Sequence, residues 1–407
     1  MGMLRDASAL AKRVLPTPAI ALIEPHVSAL PDRIGAWLNP EKYAGMPAGP
    51  TDPLVIGDGR ARLVIGPLNT AGQAHQWARA VDAQADRAAI SLVVESPDSF
   101  RFDADRAVPR LRAERSSDWQ RVEFQAVVAQ ATHVLIESGQ PLFGPLFRGD
   151  IVRQVGALHR RGIRVAIVLH GSDVRDLSAH RAREPRSPYE SIELVPDAPE
   201  LDASAARVRR VITQLDVPLF GSTPGVQFDL PAAVWLPVVV DPDEWAADGV
   251  PLQRAVPVVV HAPSRGGLKG SEVVDEVLGR LHRDGLVEYR RLEGVAHSEV
   301  RNAFRTADVV VDSLRMGGYG VGACEAMAAG RLVLSYVNEH ARNMVQALIG
   351  EQPPIWPADV GTLEAAVRAV LIDRAGARAL AARGPAFVRL AHDGRVSAAA
   401  LEAFLES

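Results

Sequence analysis

Two kinds of hydrophobic patterning alternate along the chain. Short unbroken runs of β-branched residues bounded by turn residues predict buried strands, and apolar residues three and four apart predict helices between them. In the first half, strands are predicted at 62–65, 90–95 and 132–137 and over the segment IRVAIVLH at 163–170, with two more within VPLFGSTPG and AVWLPVVVD. IRVAIVLH has no polar alternation, which predicts burial on both faces, as in a parallel sheet. Helices are predicted through Trp77, Ala80 and Val81 with Asn69 or Thr70 as cap, over 151–160 and over 205–215. In the second half, strands at 257–261, 288–292, 309–311 and 332–337 alternate with helices at 272–283, 299–305, 323–329, 363–372, 377–382 and 396–405. A short helix over 6–15 and a proline-punctuated loop to about residue 50 come before all of these.

This βα alternation predicts an α/β fold of two Rossmann-like, doubly wound domains facing a cleft. The first is expected over 1–245, with 1–60 as an N-terminal extension, the second over 255–395, and a terminal helix over 396–407. The acidic, proline-bearing and glycine-bearing stretch at 241–255 is the expected linker.

A chain of 407 residues suits two domains, and 47% hydrophobic with 23% charged residues supplies a globular core. The net charge of −4 gives no field for nucleic acid. A single cysteine, Cys324, excludes an internal disulfide framework and fits a reducing, cytoplasmic location. No apolar run approaches the roughly 20 residues needed to cross a bilayer. The helix over 6–15 has a short apolar face without an aromatic anchor, so packing on its own domain is favoured over membrane association. The abundance of Ala, Arg and Val points to a bacterial source.

Candidate chemistry centres on ADVVVDSLRMGGYGVGACEAMAAGRLVLSYV, from Ala307 to Val337. Here a strand, a glycine loop, a helix and a second strand succeed one another. A glycine loop that opens a helix presents unpaired backbone N–H groups at the positive end of the helix dipole, which suits phosphate. Gly318, Tyr319 and Gly320 are the candidate phosphate amides, and Glu325, on the helix, can accept bonds from sugar hydroxyls. A second turn, Arg265-Gly-Gly-Leu-Lys269-Gly, joins a guanidinium and an ammonium to backbone amides, a suitable clamp for a diphosphate leaving group. At the end of IRVAIVLH come His170, Gly171, Ser172, Asp173 and Arg175, where ligands bind in open α/β sheets. His170 is the candidate active-site histidine there, with Asp173 to orient it or meet an acceptor hydroxyl. After the first strand, Gly72 is expected in the first turn of the helix, with Asn69 and Gln73 as side-chain donors. The string Asp103-Ala-Asp105 is read as a solvated loop rather than a metal site, because no buried strand precedes it.

The loop followed by Glu325, Ala326, Met327, Ala328 and Gly330 resembles the donor-site signature of retaining glycosyltransferases of the GT-B fold, the family-four-like group. The His-Gly-Ser-Asp string resembles that group's HG or HD motif, and the passage from Trp235 to Asp241 resembles its interdomain passage. The resemblance implies a metal-independent, retaining transfer of a sugar from a nucleoside-diphosphate sugar to an unknown acceptor, with no cofactor. It implies that Gly72 faces the diphosphate, that Glu325 binds the ribose and that Lys269, with Arg265, neutralises the departing diphosphate. It further implies that His170 contacts the donor sugar, that Val295 offers backbone bonds to the base and that the last helix packs back on the first domain. One position departs: the first Glu of the group's E-x7-E pattern falls at Gly317, which has no side chain. That departure leaves two other readings open. One is a nucleotide-sugar-binding partner protein with impaired catalysis, the other a nucleoside-diphosphate-sugar epimerase or hydrolase on the same fold.

Overall fold

A computed structural model describes residues 30–49, 52–96 and 102–407, so the predicted helix over 6–15 lies outside the described residues. Twelve strands are described in two sheets. The first sheet is built from β1 (Ala61–Gly66), β2 (Arg87–Glu95), β3 (Arg106–Pro109), β4 (His133–Glu137), β5 (Arg164–Leu169), β6 (Leu219–Gly221) and β7 (Val234–Trp235), in the order β3-β2-β1-β4-β5-β6-β7. The second is built from β8 (Val258–His261), β9 (Glu288–Arg291), β10 (Val309–Val311), β11 (Leu332–Ser335) and β12 (Ile355–Pro357), in the order β12-β11-β10-β8-β9. Within the second sheet every pairing is parallel. Each sheet runs outward in both directions from its first strand, the doubly wound arrangement expected from the sequence.

Contacts group the chain into two compact units, one of the described residues up to Ile167 with Val211–Val217, the other of Val168–Arg210 with Pro218–Ser407. In the first unit, Leu63, Val64 and Ile65 of β1 and Trp77 of the helix Gln73–Asp82 are fully buried. In the second unit, successive strand residues feed two different clusters. Val258, Val260, Val310, Val333 and Ile355 pack with Ala323, Ala326 and Met327 of the helix Val321–Ala328. Val259, Val309, Val311, Leu332 and Leu334 pack with Val274, Leu278 and Leu281 of the helix Ser271–Arg283. Both faces are therefore apolar, which explains why these strands read as unbroken hydrophobic runs.

The arginine-rich stretch around residues 102–121 is not the solvated loop expected from its polarity. It contains β3, the helix Arg110–Arg115 and the start of the helix Ser117–Gln130, which the Ser116 side chain caps at Trp119 N. Val108, Ala113, Trp119, Phe124 and Val127 are buried, and the arginines between them disguised that periodicity. Asp105 is structural: its carboxylate accepts from the backbone N–H and the hydroxyl of Ser91 and pairs with Arg79 and His75. These partners hold its pKa down to about 2 against the opposing effect of burial. The helices Leu177–Arg183 and Glu339–Ile349 and strand β12 are further elements that the sequence reading did not place. Among the described residues no helix is long and apolar enough to cross a membrane.

Candidate functional site

In the second sheet β8 lies between β9 and β10, so the loops after β8 and β10 leave the topological switch point side by side. After β8 the chain passes Arg265 and the short helix Gly266–Lys269, then turns at Gly270, φ 78°, into the helix Ser271–Arg283. After β10 it passes Asp312 and the glycine loop into the helix Val321–Ala328.

Lys269 joins the two loops. Its Nζ donates to Asp312 Oδ1 at 2.6 Å, and its carbonyl accepts from Leu314 N at 3.0 Å. Asp312 is buried while the Lys269 side chain is 23% exposed, so one proton of the ammonium is fixed and two are left for a ligand. Gly322, in the first turn of the helix, faces this pair: a Cβ there would lie 3.6 Å from Asp312 Oδ1 and 4.0 Å from Lys269 Nζ. The ammonium therefore sits where the first amides of the helix have no intrahelical acceptor. A Cβ at Gly318 or Gly320 would meet nothing within 4 Å, so the loop backbone is uncovered.

Below the two loops, His261 at the end of β8 is fully buried. Its Nδ1 donates to the Val311 carbonyl at 2.8 Å and its Nε2 pairs with Ser271 Oγ at 2.7 Å. Burial pushes its pKa down to about 4, with the nearby Lys269 charge acting in the same direction, so it is a neutral strut.

Glu325 is buried one turn into the helix, and its Oε1 pairs with His297 Nε2 at 2.7 Å. His297 is the first residue of the helix His297–Thr306, and its ring also packs, tilted, against Trp245 with centroids 5.4 Å apart. The ring of Tyr319 is turned into the core, with its hydroxyl 3.1 Å from His392 Nε2. The Tyr319 side chain is therefore part of the core rather than of a ligand surface.

At the end of β5, Asp173 accepts from the backbone N–H of His170 at 2.9 and 3.0 Å and from that of Gly171 at 2.8 Å. The carboxylate thus fixes the turn that carries His170, whose Nδ1 pairs with Ser222 Oγ at 3.1 Å. Gly72, in the first unit, has φ 77° and forms the N-cap of the helix Gln73–Asp82, where a Cβ would lie 3.3 Å from the Phe102 ring.

The segment 177–198 packs on both switch-point loops. Arg265 forms an ion pair with Asp197. A Cβ at Gly267 would lie 1.7 Å from the Leu194 carbonyl oxygen, so only glycine fits under that segment. Leu194 and Val195 cluster with Leu268 and Met316. Gly317 is constrained twice: its φ is +74°, and a Cβ there would lie 2.8 Å from both Glu184 Oε1 and Asn338 Nδ2. Glu184 itself is buried, accepting from Tyr336 Oη at 2.8 Å and from Asn338 Nδ2 at 2.7 Å.

Lys269, the loop Gly318–Gly320 and Glu325 thus gather around one loop–helix junction, Arg265 stands on the neighbouring turn engaged by Asp197, and His170 and Asp173 gather with Ser222. Asp312, the pairing of His297 with Glu325, and Glu184 were not singled out from the sequence. Asp312 carried a signal, since it directly follows a buried strand. Glu184 carried none, because its partners are roughly 150 residues away in the chain, |i−j| being 152 and 154.

No protein-family model matches the sequence, and no curated protein sequence matches it. Solved structures do. Sucrose-phosphate synthase from Thermosynechococcus elongatus aligns with a TM-score of 0.55 at 14% identity, covering 85% of this chain and 98% of the other. The catalytic domain of starch synthase IV from Arabidopsis thaliana, solved with ADP and acarbose, aligns with a TM-score of 0.54 at 8% identity, covering 86% and 99%. Anabaena HepE, solved with UDP and glucose, aligns with a TM-score of 0.53 at 11% identity, covering 85% and 99%. These likenesses identify the fold of this chain as that of the GT-B glycosyltransferases.

Proposed function

We propose that the protein is a glycosyltransferase that takes a sugar from a nucleoside-diphosphate sugar and passes it, with retention and without a divalent ion, to an acceptor. One observation carries this reading. An ammonium, Lys269, is fixed by Asp312 against the first turn of a helix opened by an uncovered glycine loop, with the carboxylate of Glu325 one turn further on.

When the bond between the anomeric carbon and the diphosphate oxygen breaks, its electron pair stays on the diphosphate. Lys269 and the amides of Gly318 to Gly320 face that growing negative charge and stabilise it in place of a metal ion. Arg265 joins them on release from Asp197. Glu325, oriented by His297, accepts hydrogen bonds from the ribose. His170, held by its Asp173-fixed turn, serves the sugar side. The departing diphosphate and the incoming hydroxyl share one face of the sugar in a retaining transfer.

The test is turnover. Incubation with UDP-glucose and ADP-glucose, chosen because UDP and ADP occur in the similar structures, and a mixture of sugar and alcohol acceptors releases free nucleoside diphosphate and forms an α-linked product. Release without any acceptor at the same rate identifies a hydrolase. Binding without release identifies a non-catalytic nucleotide-sugar-binding partner.

A further inference from the structure

We infer that Arg175 binds an anionic group, a carboxylate or a phosphate monoester, carried by the substrate held at His170, a role that rests on the site proposed above and deepens it. Arg175 is 8% exposed. A guanidinium at that depth is ordinarily matched by carboxylates or carbonyls, because a buried charge without partners is costly. This one is not matched. Among the described residues its side chain makes no hydrogen bond and no ion pair. Nε is fully shielded and unpartnered, whereas Nη1 and Nη2, equally without bonds, keep contact with solvent. The outer edge of the fork is the part that a ligand can reach.

That edge lies beside the active-site turn. The Arg175 backbone N–H donates to the Gly171 carbonyl at 2.8 Å and folds the chain back after β5. Nη2 then lies 3.0 Å from the position of a Cβ at Gly171 and 3.9 Å from that of one at Gly225, so a glycine stands on either side of it. A side chain at 171 would cover the guanidinium. The same two stretches of chain are joined by His170 Nδ1 and Ser222 Oγ, which places the fork next to the histidine assigned to the sugar side.

The carboxylates of the neighbourhood are engaged elsewhere. Asp173 accepts from the His170 and Gly171 amides, Asp176 pairs with Arg209 at 3.9 Å, and Glu184 is held by Tyr336 and Asn338 with Arg183 at 3.6 Å. Burial raises the pKa of Asp229, and the Arg175 charge opposes that shift, yet no ion pair joins the two. The field is also felt by His180, whose pKa is pushed down to about 3 by burial and then by the charges of Arg175 and Arg183. The planar fork offers parallel N–H donors that match two oxygens of a carboxylate or phosphate at once. A sugar phosphate or a uronic acid is the class of substrate that this edge fits.

The test measures binding of inorganic phosphate to full-length wild type, Arg175→Gln and Lys269→Ala by calorimetry. Phosphate is expected to bind the wild type, and to bind Arg175→Gln about tenfold or more weakly. No binding to the wild type, equal binding to Arg175→Gln, or binding that responds to Lys269→Ala alone and so belongs to the glycine loop, would each overturn the inference. If Arg175→Gln does not fold, Arg175→Lys decides, since it keeps the charge and loses the fork: affinity should fall by about threefold or more, and undiminished affinity counts against Arg175. Two further arms identify the source of the anion. An acceptor-borne group makes glucose 6-phosphate or glucuronate release diphosphate from the donor about tenfold faster than glucose does, and a donor-borne group makes UDP-glucuronate bind about tenfold more tightly than UDP-glucose. Either preference should vanish in Arg175→Gln. Phosphate binding with neither preference would confine the site to inorganic ions and overturn its role toward the substrate. Failure of the wild type to bind any nucleotide removes the donor-site reading instead, and the two failures are distinguishable because phosphate binding at Arg175 is measured without nucleotide.

Discussion

Lys269 carries the most weight among the single residues, because its ammonium faces a loop and a helix terminus at once and is held there by a buried partner. Replacing it by alanine leaves Asp312 unpaired in the site and removes the charge that stabilises the leaving group. Lys269→Ala is expected to lower turnover by about two orders of magnitude or more with little change in fold. Near-normal turnover in steady-state kinetics would remove Lys269 from the mechanism. Glu325 and His297 should act as a unit on nucleotide binding. His297→Ala leaves a buried carboxylate without its partner, so nucleotide affinity should fall by about tenfold by calorimetry. Three histidines give the fold a pH dependence of defined sign. His180, His261 and His392 are buried and hydrogen-bonded, and burial, the leading cause in each, lowers their pKa values to about 3, 4 and 4. The unfolded chain takes up protons near the ordinary histidine value, about 6.5, where the folded chain does not. Their contribution is fully present above that value and is lost as pH falls toward 4. The melting temperature should therefore fall between pH 7 and pH 5, and a flat profile over that window would contradict the buried neutral state.

At the level of elements, the strands were legible because both faces of the second sheet are covered, which removes polar alternation and leaves runs such as Val258–His261 and Val309–Val311 visible in one dimension. The glycine loop and its helix were legible for a similar reason, since their chemistry is contiguous in sequence. The segment 177–198 was not: it is polar and proline-bearing, which suggests no more than a loop, yet it carries Glu184, Leu194 and Asp197 onto residues 68 to 154 positions away. Polarity alone cannot separate a solvated loop from one whose polar groups find distant partners. The same misreading hid the helix Ser117–Gln130, where arginines interrupt a buried stripe. Position 267 tests the packing of this segment. A methyl group there collides with the Leu194 carbonyl, which is backbone and has nowhere to yield without moving the segment. Gly267→Ala should raise amide hydrogen exchange over 190–198 while leaving the strands of the second sheet protected. Unchanged exchange in that segment would show that it does not rest on the turn.

For the molecule as a whole, the sheet orders and the likeness to solved GT-B structures agree with the alternation read from the chain. Fold alone does not establish chemistry, so the account stands or falls with nucleotide binding at the Lys269 and glycine-loop junction. The most direct measurement is thermal unfolding of the full chain against nucleoside diphosphates and their sugar conjugates, with and without Mg²⁺. A ligand at about 100 times its dissociation constant adds roughly 2.7 kcal/mol to the state it binds, enough to move the midpoint by a few degrees. A selective shift with one base is expected, present without Mg²⁺ and abolished by Lys269→Ala. No shift with any nucleotide, or a shift that requires the metal ion and ignores Lys269, would contradict it.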